Sequence, residues 1–109
     1  MHELSITANI VAIVAEKAGS QRVVRVKLEI GELSAIVPDS VRFCFDVCAK
    51  GTVLEDAVLE IDQIKPRGKC QSCGAEFDLE LMAVKCKCGS ADIACIAGNE
   101  LKIKEMEIA

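Results

Sequence analysis

Apolar residues recur at helical spacing over residues 4–18 (LSITANIVAIVAEKA). Leu4, Ala8, Val11 and Ala15 form one stripe, which Ile6, Ile10 and Ile13 widen. Gly19-Ser20 ends this predicted helix. The period then changes to two. Over residues 23–30 (VVRVKLEI), Val24, Val26, Leu28 and Ile30 fall on one face of a predicted strand, and Gly31 ends it. Pro38-Asp39-Ser40 opens a second helix over 39–49, with Val41, Phe45 and Cys48 on one face and Gly51 closing it. Alternating strands are predicted again over 57–64 (AVLEIDQI) and 101–108 (LKIKEMEI). Between them, Lys65-Pro66-Arg67-Gly68-Lys69 reads as a basic, turn-prone linker leading into a cysteine-rich stretch, 70–95.

This order predicts an insertion. The last strand returns to the first sheet, and the cysteine module is an excursion from it. The expected fold is α+β: two helices on a three-stranded mixed sheet, with an inserted ribbon-like module. Residues 1–65, completed by 100–109, form the first domain, and residues 66–99 form the second.

Composition fills in this outline. The chain has 109 residues, 51% of them hydrophobic, and a positive mean hydropathy, so it has the material for a core. With no Trp or Tyr and three Phe, that core must be aliphatic, and no aromatic platform exists for stacking single-stranded bases. A net charge of −4 argues against a general nucleic-acid binder, which needs a basic face to displace counterions. No apolar run approaches the ~20 residues of a membrane span. The Met-His-Glu opening lacks the basic start of a signal peptide, so a cytoplasmic location is expected. Thiols stay reduced there, and seven cysteines then read as metal ligands plus buried thiols, not as a disulfide framework.

The ligand pattern is Cys70-x-x-Cys73-Gly74, then Cys86-x-Cys88-Gly89. Two such pairs can set four thiolates at the corners of a tetrahedron around Zn²⁺. The module is shorter than the ~40 residues that an independent core needs, so metal must supply much of its folding energy. The second pair is one residue short of Cys-x-x-Cys, which requires a different turn and leaves Cys95 open as a substitute ligand. A redox pair at Cys70-Gln-Ser-Cys73 is a poorer reading, because Gly74 and a strand-like stretch follow where a thioredoxin motif needs a helix. Cys44 and Cys48 share a helix face at a spacing that could hold a metal, but core packing is the better expectation for both, and for Cys95.

His2 is the sole histidine. The amine of Met1, the backbone nitrogen of His2 and its imidazole can close two fused chelate rings around one ion. An all-nitrogen, planar set suits Ni(II) or Cu(II). Glu3 is a further ligand, or a favourable charge at a helix N-terminus.

With these residues in view, the chain resembles the HypA family of nickel-insertion factors for [NiFe]-hydrogenase. The resemblance rests on Met1-His2-Glu3-Leu4-Ser5, on Glu29-Ile30-Gly31-Glu32-Leu33-Ser34, and on Pro38-Asp39-Ser40 leading to Phe43-x-Phe45. Gly51-Thr52-Val53-Leu54-Glu55-x-Ala57 and the Cys70-to-Cys88 module follow in order. It implies nickel cargo at Met1, His2 and Glu3, and structural zinc at Cys70, Cys73, Cys86 and Cys88. It also implies action with a HypB-like GTPase to pass nickel to the hydrogenase large subunit; some members also serve urease. The second knuckle departs from the family's usual Cys-Pro-x-Cys by one residue.

The chain has no G-x-x-x-x-G-K-[ST] and no nucleophile–base pair, so neither nucleotide binding of that type nor catalysis is expected. The competing reading is a zinc-ribbon module for protein or nucleic acid, supported only by the basic stretch 65–69. As for assembly, the chain is expected to be a monomer or a homodimer, since an exposed strand edge can support pairing.

Overall fold

A computed structural model of the chain describes residues 2–79 and 85–109. Eight elements follow in order: α1 (His2–Ala18), β1 (Val23–Gly31), α2 (Pro38–Ala49), β2 (Val58–Ile64), β3 (Arg67–Cys70), β4 (Glu76–Asp78), β5 (Ile93–Ala97) and β6 (Leu101–Ile108). They build two three-stranded sheets, ordered β2-β1-β6 and β4-β3-β5. In the first sheet β1 is central, parallel to β2 and antiparallel to β6. A parallel pair needs a crossover, and α2 supplies it. The strand that completes this sheet follows the cysteine module in sequence, as the insertion reading expects.

Local chemistry sets the helix ends. Gly19 adopts φ +65° and donates its N–H to the Ala15 carbonyl at 3.0 Å, closing α1. Pro38 lies in the first turn of α2, where its missing N–H has no helical acceptor to lose. The core is aliphatic apart from Phe45. Ile10, Val11, Val14 and Ala18 of α1 meet Val23, Val26, Leu28 and Ile30 of β1, together with Val41, Phe45 and Ala49 of α2 and Leu54.

Three expectations need correction. The buried face of α1 runs through Thr7, Ile10, Val11, Val14 and Ala18, while Leu4, Ala8 and Ile13 are exposed. Ile10 and Val11 do lie in the core, and Ile6 and Ala15 pack against it. The helix is apolar on most of its circumference, so periodicity alone drew in three exposed residues and left out Thr7, Val14 and Ala18. In β1, Val23 is buried and Val24 exposed, because the ladder to β6 shifts register between Val23 and Arg25. Such a bulge reverses the facing of residues on one side of it. The stretch read as a linker runs into β3, the central strand of the second sheet, and supplies its residues 67–69. Gly68 is buried there, and a Cβ at this position would lie 2.8 Å from side-chain atoms of Ile93 and Leu79, so the residue that made the segment look turn-like is what lets its neighbours close over it.

The second sheet joins the first through backbone contacts. Gly31 donates to Glu100 O at 2.7 Å, and Leu33 donates to Gly98 O at 2.7 Å. A Cβ on Gly31 would stand 2.0 Å from Gly98 O, so no other residue fits without moving the joint. The radius of gyration is 17.4 Å. A compact chain of this length would have about 13 Å, so the two sheets stand side by side rather than around one core.

Candidate metal centre

Two turns carry the cysteines. Cys70 ends β3, and the chain turns through Cys73-Gly74 into β4. Gly74, at φ +80°, donates to Cys70 O at 2.8 Å, and Cys70 donates to Ala75 O at 2.8 Å. The second turn repeats this pattern one residue shorter. Gly89, at φ +92°, donates to Cys86 O at 2.9 Å, and Cys86 donates to Ser90 O at 2.8 Å. The missing residue is absorbed by a tighter turn, and both sulfurs still point to the same place. In each turn the glycine takes a left-handed conformation that a side chain would strain.

The four sulfurs of Cys70, Cys73, Cys86 and Cys88 lie within 4.8 Å of one another. The Cys70–Cys88 and Cys73–Cys86 separations are both 3.6 Å. A tetrahedral Zn²⁺ with Zn–S ~2.3 Å has sulfur–sulfur edges of ~3.8 Å. The thiol cage therefore has the size of a zinc site, and its all-sulfur donor set suits that ion. Cys70 and Cys86 are buried, while Cys73 and Cys88 reach the surface. Cross-links hold the turns together: Ser72 Oγ donates to Ser90 Oγ at 2.9 Å, and the Gln71 N–H donates to Asp92 O at 2.9 Å. These residues carry no signal in the spacing, although Ser90 follows the second Cys-Gly pair as Ala75 follows the first.

The surroundings set the protonation of the metal-free cage. The N–H groups of Cys73 and Ser72, helped by the thiols of Cys88 and Cys73, hold Cys70 down at about 6 against burial. The Ala75 N–H pulls Cys73 down, but Cys86, Cys70 and burial outweigh it and push Cys73 up to about 11. Cys88 is likewise raised: the Ser90 N–H lowers it, but Cys70, Cys86 and burial prevail. One thiolate therefore forms easily at Cys70, and Cys73 and Cys88 then resist ionisation unless a cation arrives.

Cys95 stands apart from this group. Its thiol donates to Ala97 O at 3.2 Å and accepts from Asn99 Nδ2 at 3.4 Å. Cys44 and Cys48 are half-buried on α2, and Cys48 packs against the core. Cys70-Gln-Ser-Cys73 lies on a turn between two strands, without the helix of a redox motif. In the basic stretch, Arg67 is paired with Asp78 across the β3–β4 ladder.

The second predicted site is at the other end of the chain. Met1 lies outside the described residues. Of His2 only the backbone, as the first residue of α1, is described. Glu3 is half-buried, and its Oε2 accepts the Val37 N–H at 3.4 Å, which ties the start of α1 to the start of α2. Glu3 also lines a groove of about 550 Å³ with Leu4, Asp39, Ser40, Phe43, Cys44 and Val47.

Residues 1–108 match the family model described as "Hydrogenase/urease nickel incorporation, metallochaperone, hypA". The chain is 59% identical over 108 residues to the hydrogenase maturation factor HypA of Nostoc sp., covering 99% of this chain and 96% of that one. It is 45% identical to the corresponding factor of Geobacter metallireducens, covering 99% of both. Its backbone is similar to a solution structure of HypA protein, with a TM-score of 0.77 at 28% identity, covering 100% of this chain and 97% of that one. For the solution structure of the Ni metallochaperone HypA from Helicobacter pylori the TM-score is 0.69 at 26% identity, covering 97% and 96%.

Proposed function

The chain belongs to the HypA family of nickel-incorporation metallochaperones, and from that premise we propose that it takes up Ni(II) at its amino terminus and hands it on during [NiFe]-hydrogenase maturation. It is a carrier and not an enzyme. The observation that carries the reading is the family match, which runs from residue 1 to residue 108 and so includes the Met-His-Glu opening. Met1, His2 and Glu3 are the proposed nickel residues, and Cys70, Cys73, Cys86 and Cys88 are the proposed zinc ligands. Residues 1–65 with 100–109 form the nickel-handling unit, and 66–99 the zinc ribbon.

Helix chemistry supports the terminal site. The first N–H groups of a helix have no intrahelical acceptor. Because α1 starts at His2, coordination through the His2 amide nitrogen breaks no helical bond. The two sites then divide the work. A closed cage of four thiolates exchanges its metal slowly and stabilises the fold. An open site at a terminus can pass an ion to a partner by ligand exchange. With no P-loop in the chain, energy from GTP must come from a HypB-like partner, and the large subunit of the hydrogenase is the proposed acceptor. The family description also names urease, whose maturation proteins are a second set of candidate recipients.

The test is acetylation of the terminal amine. An acetyl group on the Met1 nitrogen takes it out of the chelate without adding a residue. Nickel affinity is expected to fall at least ~100-fold while zinc content stays the same. Equal nickel affinity in the acetylated protein would remove the terminal amine from the site.

A further inference from the structure

β6 is an edge strand of the first sheet, and its charges are sorted. Reading LKIKEMEI, both lysines precede both glutamates. Lys102 and Lys104 sit together on Glu29, at 3.2 and 3.5 Å. Glu105 and Glu107, with Glu60 from β2, share Arg25 at 2.7–3.3 Å. Among the described residues, one carboxylate thus faces two cations at one end of the strand, and one cation faces three carboxylates at the other. Each end is left with charge that the described residues do not balance. Beside the basic end, α1 and β6 leave a groove of about 350 Å³, lined by Asn9, Lys102 and the aliphatic side chains of Ile6, Ile10, Ile13, Leu101 and Ile103. Ile13 and Leu101 are 45% and 38% exposed there.

We propose that the β6 edge is the docking site for an extended segment of a partner protein, added antiparallel to β6 as a fourth strand. The segment carries acidic side chains beside Lys102 and Lys104 and basic ones beside Glu105 and Glu107. It also places one or two aliphatic side chains in the groove under α1. Main-chain hydrogen bonds to an open edge give such a complex its affinity, and the side chains give it register. The groove has room for aliphatic side chains but not for another helix, which favours a lone strand over a second copy of the folded domain.

The strand supplies its own probe. Run antiparallel to itself, LKIKEMEI sets Lys102 against Glu107 and Lys104 against Glu105, with apolar residues opposite apolar ones. A fluorescent peptide of this sequence, titrated into the zinc-loaded, reduced, full-length protein at low salt, is expected to bind with raised polarisation. The charge-exchanged peptide LEIEKMKI opposes like charges in the antiparallel register and is expected to bind roughly tenfold more weakly. Two variants of the protein keep the test independent of any one substitution. Exchange of the strand's charges (K102E/K104E/E105K/E107K) is expected to reverse the preference between the two peptides. Ile13→Glu, at an exposed position, is expected to weaken both peptides while circular dichroism and zinc content stay unchanged. No binding of either peptide would overturn the proposal, leaving a charged edge that only deters association. Equal binding of both peptides would overturn it too, as would sedimentation showing that the protein itself dimerises through β6.

Discussion

At the scale of single residues, the cage was the most legible feature, because two Cys–Gly pairs announce two turns whatever lies between them. The sequence left Cys95 open as a ligand, since spacing does not say where a strand will carry a side chain; here β5 turns Cys95 toward Ala97 O and away from the cage. Protonation follows from the same geometry. At neutral pH the metal-free cage holds Cys70 as a thiolate and Cys73 and Cys88 as thiols, so zinc uptake is expected to release protons from the latter two. Calorimetry in buffers of different ionisation enthalpy measures that release. The sign follows: zinc affinity falls as pH falls, and falls more steeply below about 6, where Cys70 also takes up a proton. A zinc affinity independent of pH would contradict this. Thr7 poses a separate problem. It is fully buried, and its hydroxyl has no hydrogen-bond partner among the described residues. Thr7→Val keeps the shape and removes the unpaired group, and is expected to raise stability by ~1 kcal/mol in denaturant titrations.

At the scale of elements, the sequence yielded the order and type of both helices and of the three strands in the first sheet. Its errors have physical causes. A helix apolar on most sides gives no unique stripe, a bulge at Val24 inverts an alternation that looks regular, and a four-residue strand with a central glycine looks like a turn. The joint between the sheets was not legible either, because it is a contact between two backbones. It yields a sharp prediction. Gly31→Ala puts a methyl group into the carbonyl of Gly98, where only backbone movement can relieve it. A loss of ~1–3 kcal/mol is expected, with faster amide exchange at Leu33 and Glu100. Gly51→Ala is the useful contrast. Its position has open space around it, so its cost comes from φ +78° alone, with no effect on the joint.

At the scale of the whole molecule, the insertion was visible in the sequence because an alternating segment returned after the cysteines. Which surfaces meet other proteins was not, since periodicity reports burial within the chain and not beyond it. The division into two sheets carries its own expectation. Chelation of zinc should abolish amide protection in β3, β4 and β5, whose short strands have little apolar surface to bury, and leave it in β1 and α2 around Leu28 and Phe45. Loss of protection throughout would mean that the two parts fold as one. Nickel binding at the amino terminus is decided by titration calorimetry of the untagged, zinc-loaded protein beside its His2→Ala variant. One tight nickel site is expected in the first and its loss in the second, with zinc content and circular dichroism unchanged; an undiminished, stoichiometric nickel affinity in His2→Ala would show that His2 does not hold the ion.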